Sequence, residues 1–281
     1  MKPYLGAHVS AAGGHYKAIE KAKELGANTI QIFGASPRQW KVNIPSVESV
    51  QRYKESLIES EIKSVYLHAA YLVNLAGEGD LYEKSVDNLT SHLEIACALE
   101  ADGLIFHIGS SKEKDGERAR KRIVKGVREV LQRVNGSAKL VMENASGGGG
   151  KIGSTFDELI ALYRAMDSKR IGMCLDTAHA FESGMLRFVE SEIKKFFDRW
   201  DEEIGMESLV ALHINDSKTK FGSGSDRHEN LGEGEIGLSG FKTLAKEKRL
   251  QHTSWILEVP GFDDMGPDKR NLDILRGCFE L

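Results

Sequence analysis

Residues 208–234 read SLVALHINDSKTKFGSGSDRHENLGEG, and this stretch decides the fold. An apolar run of strand formers ends on His213, and a Gly- and Ser-rich segment follows with Asp216, Asp226 and His228, all good metal-ligand types. The same arrangement, a buried strand closing on a polar residue, returns along the chain. Candidate strands are YLGAHV (4–9), NTIQIF (28–33), SVYLHA (64–69), GLIFHI (103–108), KLVMEN (139–144), IGMCLD (171–176), LVALHIN (209–215) and SWILEV (254–259). Between them lie stretches with apolar residues at three- and four-residue steps, such as SVESVQRYKESLIES (46–60), SVDNLTSHLEIACALE (85–100), EKDGERARKRIVKGVREVLQRV (113–134) and TFDELIALYRAM (155–166). That period is helical.

Strands recurring at roughly 35-residue intervals are the mark of successive βα units. Eight such units in 281 residues predict an α/β fold, a (β/α)8 TIM barrel, over an open doubly wound sheet. No linker or composition shift divides the chain, so residues 1–281 read as one barrel domain. Polar residues of ligand type close the candidate strands: His8, His68, His107, Glu143, Asp176, His213 and Glu258. In a parallel barrel those ends share one face, where the βα loops build the site.

With 41% hydrophobic and 28% charged residues, the chain can bury a full core. No apolar run is long enough to span a bilayer, and MKPYLGAHVS at the N-terminus lacks the layout of a signal peptide. The C-terminal CFEL fails as a prenylation box because Glu280 stands where an aliphatic residue belongs. Cys97, Cys174 and Cys278 are far apart and odd in number, so they read as reduced thiols of a cytoplasmic protein. The formal net charge of −4 speaks against a broad electrostatic grip on nucleic acid. Bound divalent cations would reverse that locally.

Two further spacings enlarge the candidate site. In LDTAHAFESG, His179 follows Asp176 by three, and in SDRH, His228 follows Asp226 by two. The candidate ligands are then His68, His107, Glu143, Asp176, His179, His213, Asp226, His228 and Glu258. Imidazole mixed with carboxylate suits zinc, manganese or iron(II) better than calcium. Nine ligands exceed one tetrahedral zinc and suit a cluster of two or three ions with bridging carboxylates.

At these residues the chain resembles the endonuclease IV family of DNA repair enzymes, over essentially its whole length. The likeness is carried by GAHVSAAGG (6–14), HAAYLVNLA (68–76), FHIGS (106–110), MENASG (142–147), CLDTAHAFESG (174–184), HINDSK with SDRHENLGEGEIG (213–237), and ILEVPG (256–261). The resemblance implies a (β/α)8 barrel with three zinc ions. One would be held by His68, His107 and Glu143. Glu143 would bridge to a second, shared with Asp176, His213 and Glu258, and His179, Asp226 and His228 would hold the third. Manganese or iron(II) could replace zinc at one or more positions. It further implies cleavage of double-stranded DNA on the 5′ side of an abasic site, leaving a 3′-hydroxyl, and removal of 3′-blocking groups. The attacking group would be a metal-bridging hydroxide, with Glu143 as its catalytic neighbour. Arg38 and Gln39 in SPRQW, and Tyr71 and Leu72 in AYLVN, match the residues the family pushes into the DNA stack. Wedging a duplex open costs least where a base is already missing. A monomer is expected.

The rival within enzymes is a sugar isomerase or epimerase, which would use Glu143, Asp176, His213 and Glu258 with one or two metals. It leaves His179, Asp226 and His228 without purpose. A catalytically dead binding or storage protein would have lost a bridging ligand, and none is lost. Other features read as ordinary. GGGGKIG (147–153) is a flexible loop, since Ile152 follows Lys151 where a phosphate loop needs Ser or Thr. KEKDGERARKR (112–122) is a solvated helix entry. His15, His92 and His252 read as surface histidines, and Cys174 as a small barrel-core residue. His8 either supports a ligand or simply packs.

Overall fold

Each of the eight apolar runs forms a strand of four to six residues. A computed structural model of the chain describes residues 3–112 and 116–280, so residues 113–115 of the mixed-charge run and Leu281 of CFEL lie outside it. In chain order the elements are β1 (Tyr4–His8), α1 (His15–Leu25), β2 (Thr29–Phe33), α2 (Val47–Ile58), β3 (Ser64–His68), α3 (Asp80–Ala98), β4 (Gly103–His107), α4 (Gly116–Arg133), β5 (Lys139–Glu143), α5 (Phe156–Met166), β6 (Ile171–Asp176), α6 (Thr177–Glu182), α7 (Glu190–Ile204), β7 (Leu209–Ile214), β8 (Asp216–Ser217), β9 (His228–Glu229), α8 (Gly237–Ala245), β10 (Ser254–Leu257) and α9 (Lys269–Gly277).

Strands β1 to β7 and β10 pair in parallel around a closed barrel, the expected (β/α)8 fold. The short strands β8 and β9 pair antiparallel in a ribbon above it. Helices start where side chains satisfy their free N–H groups: Ser46 caps α2, Thr155 caps α5 and Asp268 caps α9. Gly26, at φ 71°, ends α1 in the left-handed region.

Alternation along the strands sends one set of side chains into the barrel and the other toward the helices. The outward set, with residues such as Ile30, Leu67, Leu104, Leu140, Leu175 and Leu212, is buried under the helices. Each such side chain contributes about 1.5–3 kcal/mol when fully buried. The inward set forms a separate plug of Tyr66, Ile105, Val141, Cys174, Ala211 and Ile256. Below it, Thr29, Ser64 and Ser254 satisfy one another, with both hydroxyl contacts at 2.6 Å. Cys174 is a barrel-core residue as expected, and burial pushes its thiol up to about 11.

Candidate metal centre

Two residues beyond each member of the plug, and on the same face, stand His68, His107, Glu143, Asp176, His213 and Glu258. Register sets His107 level with Glu143 and Asp176 level with His213, while His68 pairs with Ile105, Glu143 with Cys174 and His213 with Ile256, a step of two residues at each of those joins. All six therefore meet at the C-terminal mouth.

Glu143 occupies the centre and divides its oxygens. Oε2 lies 3.3 Å from Nε2 of His68 and 3.2 Å from Nε2 of His107. Oε1 lies 3.1 Å from Nδ1 of His213, which is also 3.2 Å from Oε2 of Glu258. Two sets of donor atoms result, His68–His107–Glu143 and Glu143–Asp176–His213–Glu258, each lying within 4.8 Å of one another.

A third set lies beside them. Asp176 ends β6 and caps α6, accepting from the backbone N–H of His179 at 2.8 Å. This one-turn geometry swings His179 into the mouth. Donor atoms of Asp176, His179 and His228 fall within the same 4.8 Å limit. Asp226 approaches from the ribbon loop, with Oδ1 at 3.2 Å from Nε2 of His179 and 3.7 Å from Nε2 of His228. Asp176 thus joins the trio expected there, while Asp226 faces both histidines through Oδ1 and accepts from Lys151 Nζ on Oδ2 at 2.8 Å.

These residues fit divalent cations. Nε2 of His228 is buried with no hydrogen-bond partner and faces Asp176 and Asp226, an orphaned lone pair that an ion would satisfy. The tautomers are prepared as well. His68 Nδ1 donates to the carbonyl of Ala69 at 2.8 Å, and His179 Nδ1 to that of Asn144 at 2.9 Å, which leaves both Nε2 atoms as donors to an ion. Mixed nitrogen and carboxylate donors suit zinc and its first-row neighbours.

Burial disfavours charge here, yet the groups hold one another ionised. Burial would raise Glu143, but His213 and His107 outweigh it and keep the carboxyl well below its usual range. Glu258 is lowered in the same way by His213 and His8. Burial would lower His179 and His213, but their neighbours overcome it and raise both well above the ordinary value, for His213 Cys174 first and then Glu258 and Glu143. For His179 these are Asp176, Asp226 and Glu143.

Several residues that shape the site escaped the sequence reading. Gln31 is fully buried and inward-facing on β2, and links His8, His213 and Glu258. Asn144 clamps the backbone of Asp176 from both sides at 2.6 and 3.1 Å. Asn215 donates to Asp176 Oδ2 at 2.6 Å and accepts from the N–H of Glu258 at 2.9 Å. Their signal was a buried amide at or next to a strand end, which is weaker than a His or a carboxylate.

Other expectations change. Asp216, counted among the ligand types of the opening stretch, accepts the backbone N–H groups of Gly232, Gly234, Ile236 and Gly237 at 2.9–3.2 Å and staples the loop before α8. A Cβ at Gly234 would come within 2.5 Å of that carboxylate, which is why the position is glycine. His92, expected at the surface, is fully buried on the inner face of α3, where Nδ1 meets the carbonyl of Asn88 at 2.9 Å. His252 is exposed as expected, and His15 is half-buried. His8 supports a candidate ligand, with Nδ1 3.4 Å from Glu258 Oε1. The GGGGKIG loop, expected to be flexible, is tied by a bridge between Ser110 and Lys151.

A cleft of about 440 Å³ opens above the three sets, lined by His68, His107, His179 and His228 with Phe33, Tyr71, Gly266 and Pro267. Tyr71, 57% exposed, stands at its lip with its ring 5.9 Å from that of His68. Leu72 lines the adjoining pocket, while Arg38 and Gln39 are exposed on the loop after β2. That loop joins the Tyr71 loop through the Tyr71 N–H and the Pro37 carbonyl at 3.1 Å. A larger groove of about 980 Å³ lies between α4 and α5, on the outer wall, and holds none of the strand-end residues.

The sequence model of the family described as "Xylose isomerase-like TIM barrel" matches residues 19–278. A Halothermothrix orenii protein named "Probable endonuclease 4" is 35% identical over 274 residues, which cover 97% of this chain and 99% of that protein. The crystal structure of endonuclease IV from Thermus thermophilus superposes with a TM-score of 0.87 at 34% identity, covering 99% of both chains. A D-tagatose 3-epimerase-like protein, 18% identical with a TM-score of 0.71 over 99% of this chain and 97% of its own, shares the barrel fold. The likeness in sequence, the likeness in structure and a barrel mouth able to bind metal agree: this chain belongs to the endonuclease IV family of xylose isomerase-like TIM barrels.

Proposed function

We propose that this protein is a DNA repair phosphodiesterase. It hydrolyses the bond 5′ to an abasic site in duplex DNA, leaving a 3′-hydroxyl and a 5′-deoxyribose phosphate, and clears blocked 3′ ends. Residues 1–281 act as one domain, as a monomer in the cytoplasm. The observation that carries the reading is the set of three donor clusters in one mouth, two of them sharing Glu143 and two sharing Asp176.

His68, His107 and Glu143 would hold one zinc; Glu143, Asp176, His213 and Glu258 a second; His179, Asp226 and His228, with Asp176 in reach, a third. Manganese or iron(II) could substitute. Bound there, such ions would neutralise phosphate charge and lower the pKa of a bound water toward neutrality. Glu143 sits between the first two clusters and orients the attacking water or takes its proton on a carboxylate oxygen. Gln31, Ala69 and Asn144 hold the histidine tautomers, so no rearrangement is needed on binding. Arg38, Gln39, Tyr71 and Leu72 press into the duplex beside the lesion. The isomerase reading would leave His179, Asp226 and His228 idle.

The test is cleavage of a duplex with one abasic site, with and without a chelator, beside elemental analysis of the active protein. Chelator-sensitive incision on the 5′ side, with three ions per chain, is expected. Active protein holding one tightly bound ion at most would sink the three-metal assignment and favour the isomerase reading.

A further inference from the structure

The two oxygens of Asp226 face different partners. Oδ1 points to Nε2 of His179 and His228, at 3.2 and 3.7 Å, while Oδ2 accepts from Lys151 Nζ at 2.8 Å. Lys151 is fixed in turn. Its Nζ also donates to Ser146 Oγ at 2.9 Å. Its backbone neighbours tie to the loop after β4, Ile152 N–H to the Gly109 carbonyl at 2.9 Å and Ser111 N–H to the Gly150 carbonyl at 3.0 Å.

The other clusters differ. Among the described residues, the ion pairs of Glu143, Asp176 and Glu258 are with histidines alone. Among the described residues, Asp226 alone of these four carboxylates pairs with an ammonium, whose charge does not leave when an imidazole gives up its proton. One carboxylate oxygen is already engaged there, and a positive charge stands beside the position an ion would take. Like charges a few ångströms apart repel, and with Lys151 and Asp226 each about a third exposed solvent screens this repulsion only in part.

We propose that Lys151 holds Asp226 as a one-oxygen donor and makes the His179–Asp226–His228 position the weakest and most exchangeable of the three. This rests on the three-ion reading above. Its consequence is that the chain keeps two ions under limiting zinc, and completion of the site follows the free zinc concentration.

The experiment titrates zinc-loaded full-length protein with a chromogenic chelator and follows ions released per chain. It compares the wild type with Lys151→Gln, Lys151→Met and Lys151→Arg, and uses Asp226→Asn to identify the third ion. In the wild type one ion leaves well before the other two, and Asp226→Asn abolishes that step. Lys151→Gln and Lys151→Met should tighten that ion about tenfold or more and leave the other two unmoved, an internal control for folding. Lys151→Arg, which keeps the charge, should behave as the wild type. Three ions leaving together from the wild type, or a third ion unchanged or loosened in both neutral variants, overturns the role of Lys151 alone. A wild type that never binds a third ion overturns the three-ion reading and this proposal with it.

Discussion

Gln31 Oε1 accepts a hydrogen bond from Nε2 of His213 at 2.8 Å, joining residues 182 positions apart across the barrel. An amide oxygen only accepts, so a proton sits on His213 Nε2, and Nδ1 faces Glu143 and Glu258, donating to them until an ion displaces its proton. The other end of the same amide donates to Glu258 Oε1 at 2.5 Å and to Nδ1 of His8 at 2.8 Å. One buried side chain thus orients two proposed ligands.

Gln31→Leu keeps most of the volume and removes that control. Zinc affinity should fall about 10–100-fold, the scale of losing a hydrogen-bonded partner behind a metal ligand. Unpaired buried polar groups should also lower stability by about 1–3 kcal/mol. Chelator competition and denaturant melts measure the two. Zinc affinity equal to wild type would show that His213 needs no orienting partner.

Glu143→Gln preserves shape and removes the central charge. Turnover on abasic duplex should drop by at least about 10³, in line with losing an acid–base or electrostatic group. DNA binding should weaken far less. Single-turnover kinetics beside equilibrium binding separates these, and near-normal turnover would discard the central role.

Tyr71 sits at the lip of the cleft and Leu72 in the adjoining pocket, three and four residues past His68. Tyr71→Ala or Leu72→Ala should leave metal content unchanged and weaken binding of abasic duplex by about 1–3 kcal/mol, the scale of a lost stacking contact. Nicked, 3′-blocked substrate needs less distortion and should suffer less. Equal processing of both substrates would mean that these loops do not read damage, and metal loss would mean that they only support the site.

Zinc uptake should release protons. In the metal-free protein His179 is held well above its ordinary value by Asp176, Asp226 and Glu143, and His213 by Cys174, Glu258 and Glu143, after burial is overcome. The stability they contribute is fully present below the unfolded histidine pKa of about 6.5 and is lost as pH rises through the raised folded values. An ion needs both rings neutral, so loading at neutral pH displaces their protons, and affinity falls as pH drops. Calorimetry in buffers of different ionisation enthalpy counts those protons. No release at neutral pH would show that the rings are already neutral.

The barrel was legible because its physics is local. A period of two in the strands and about 3.6 in the helices marks which faces are buried, and eight alternations leave a closed barrel as the natural solution. The six strand-end residues were legible for the same reason, since a polar residue two steps past an inward apolar one must share its face. His92 was misread although its spacing from Ser85, Asn88, Leu89 and Ala96 puts it on the buried stripe of α3. Its polarity suggested water, and helix packing decided otherwise.

What only the tertiary structure decided are contacts between side chains far apart in sequence. Asp216 and Asp226 look equivalent in the chain, yet one lies among the N–H groups of Gly232 to Gly237 and the other before His179. Gln31 meets Glu258 across 227 positions, and Lys151 meets Asp226 across 75. Periodicity fixes the direction a side chain takes from its own strand or helix. Whether it finds an ion, an amide or a backbone N–H there depends on loops whose path is set by the closed barrel, and no local pattern encodes that meeting.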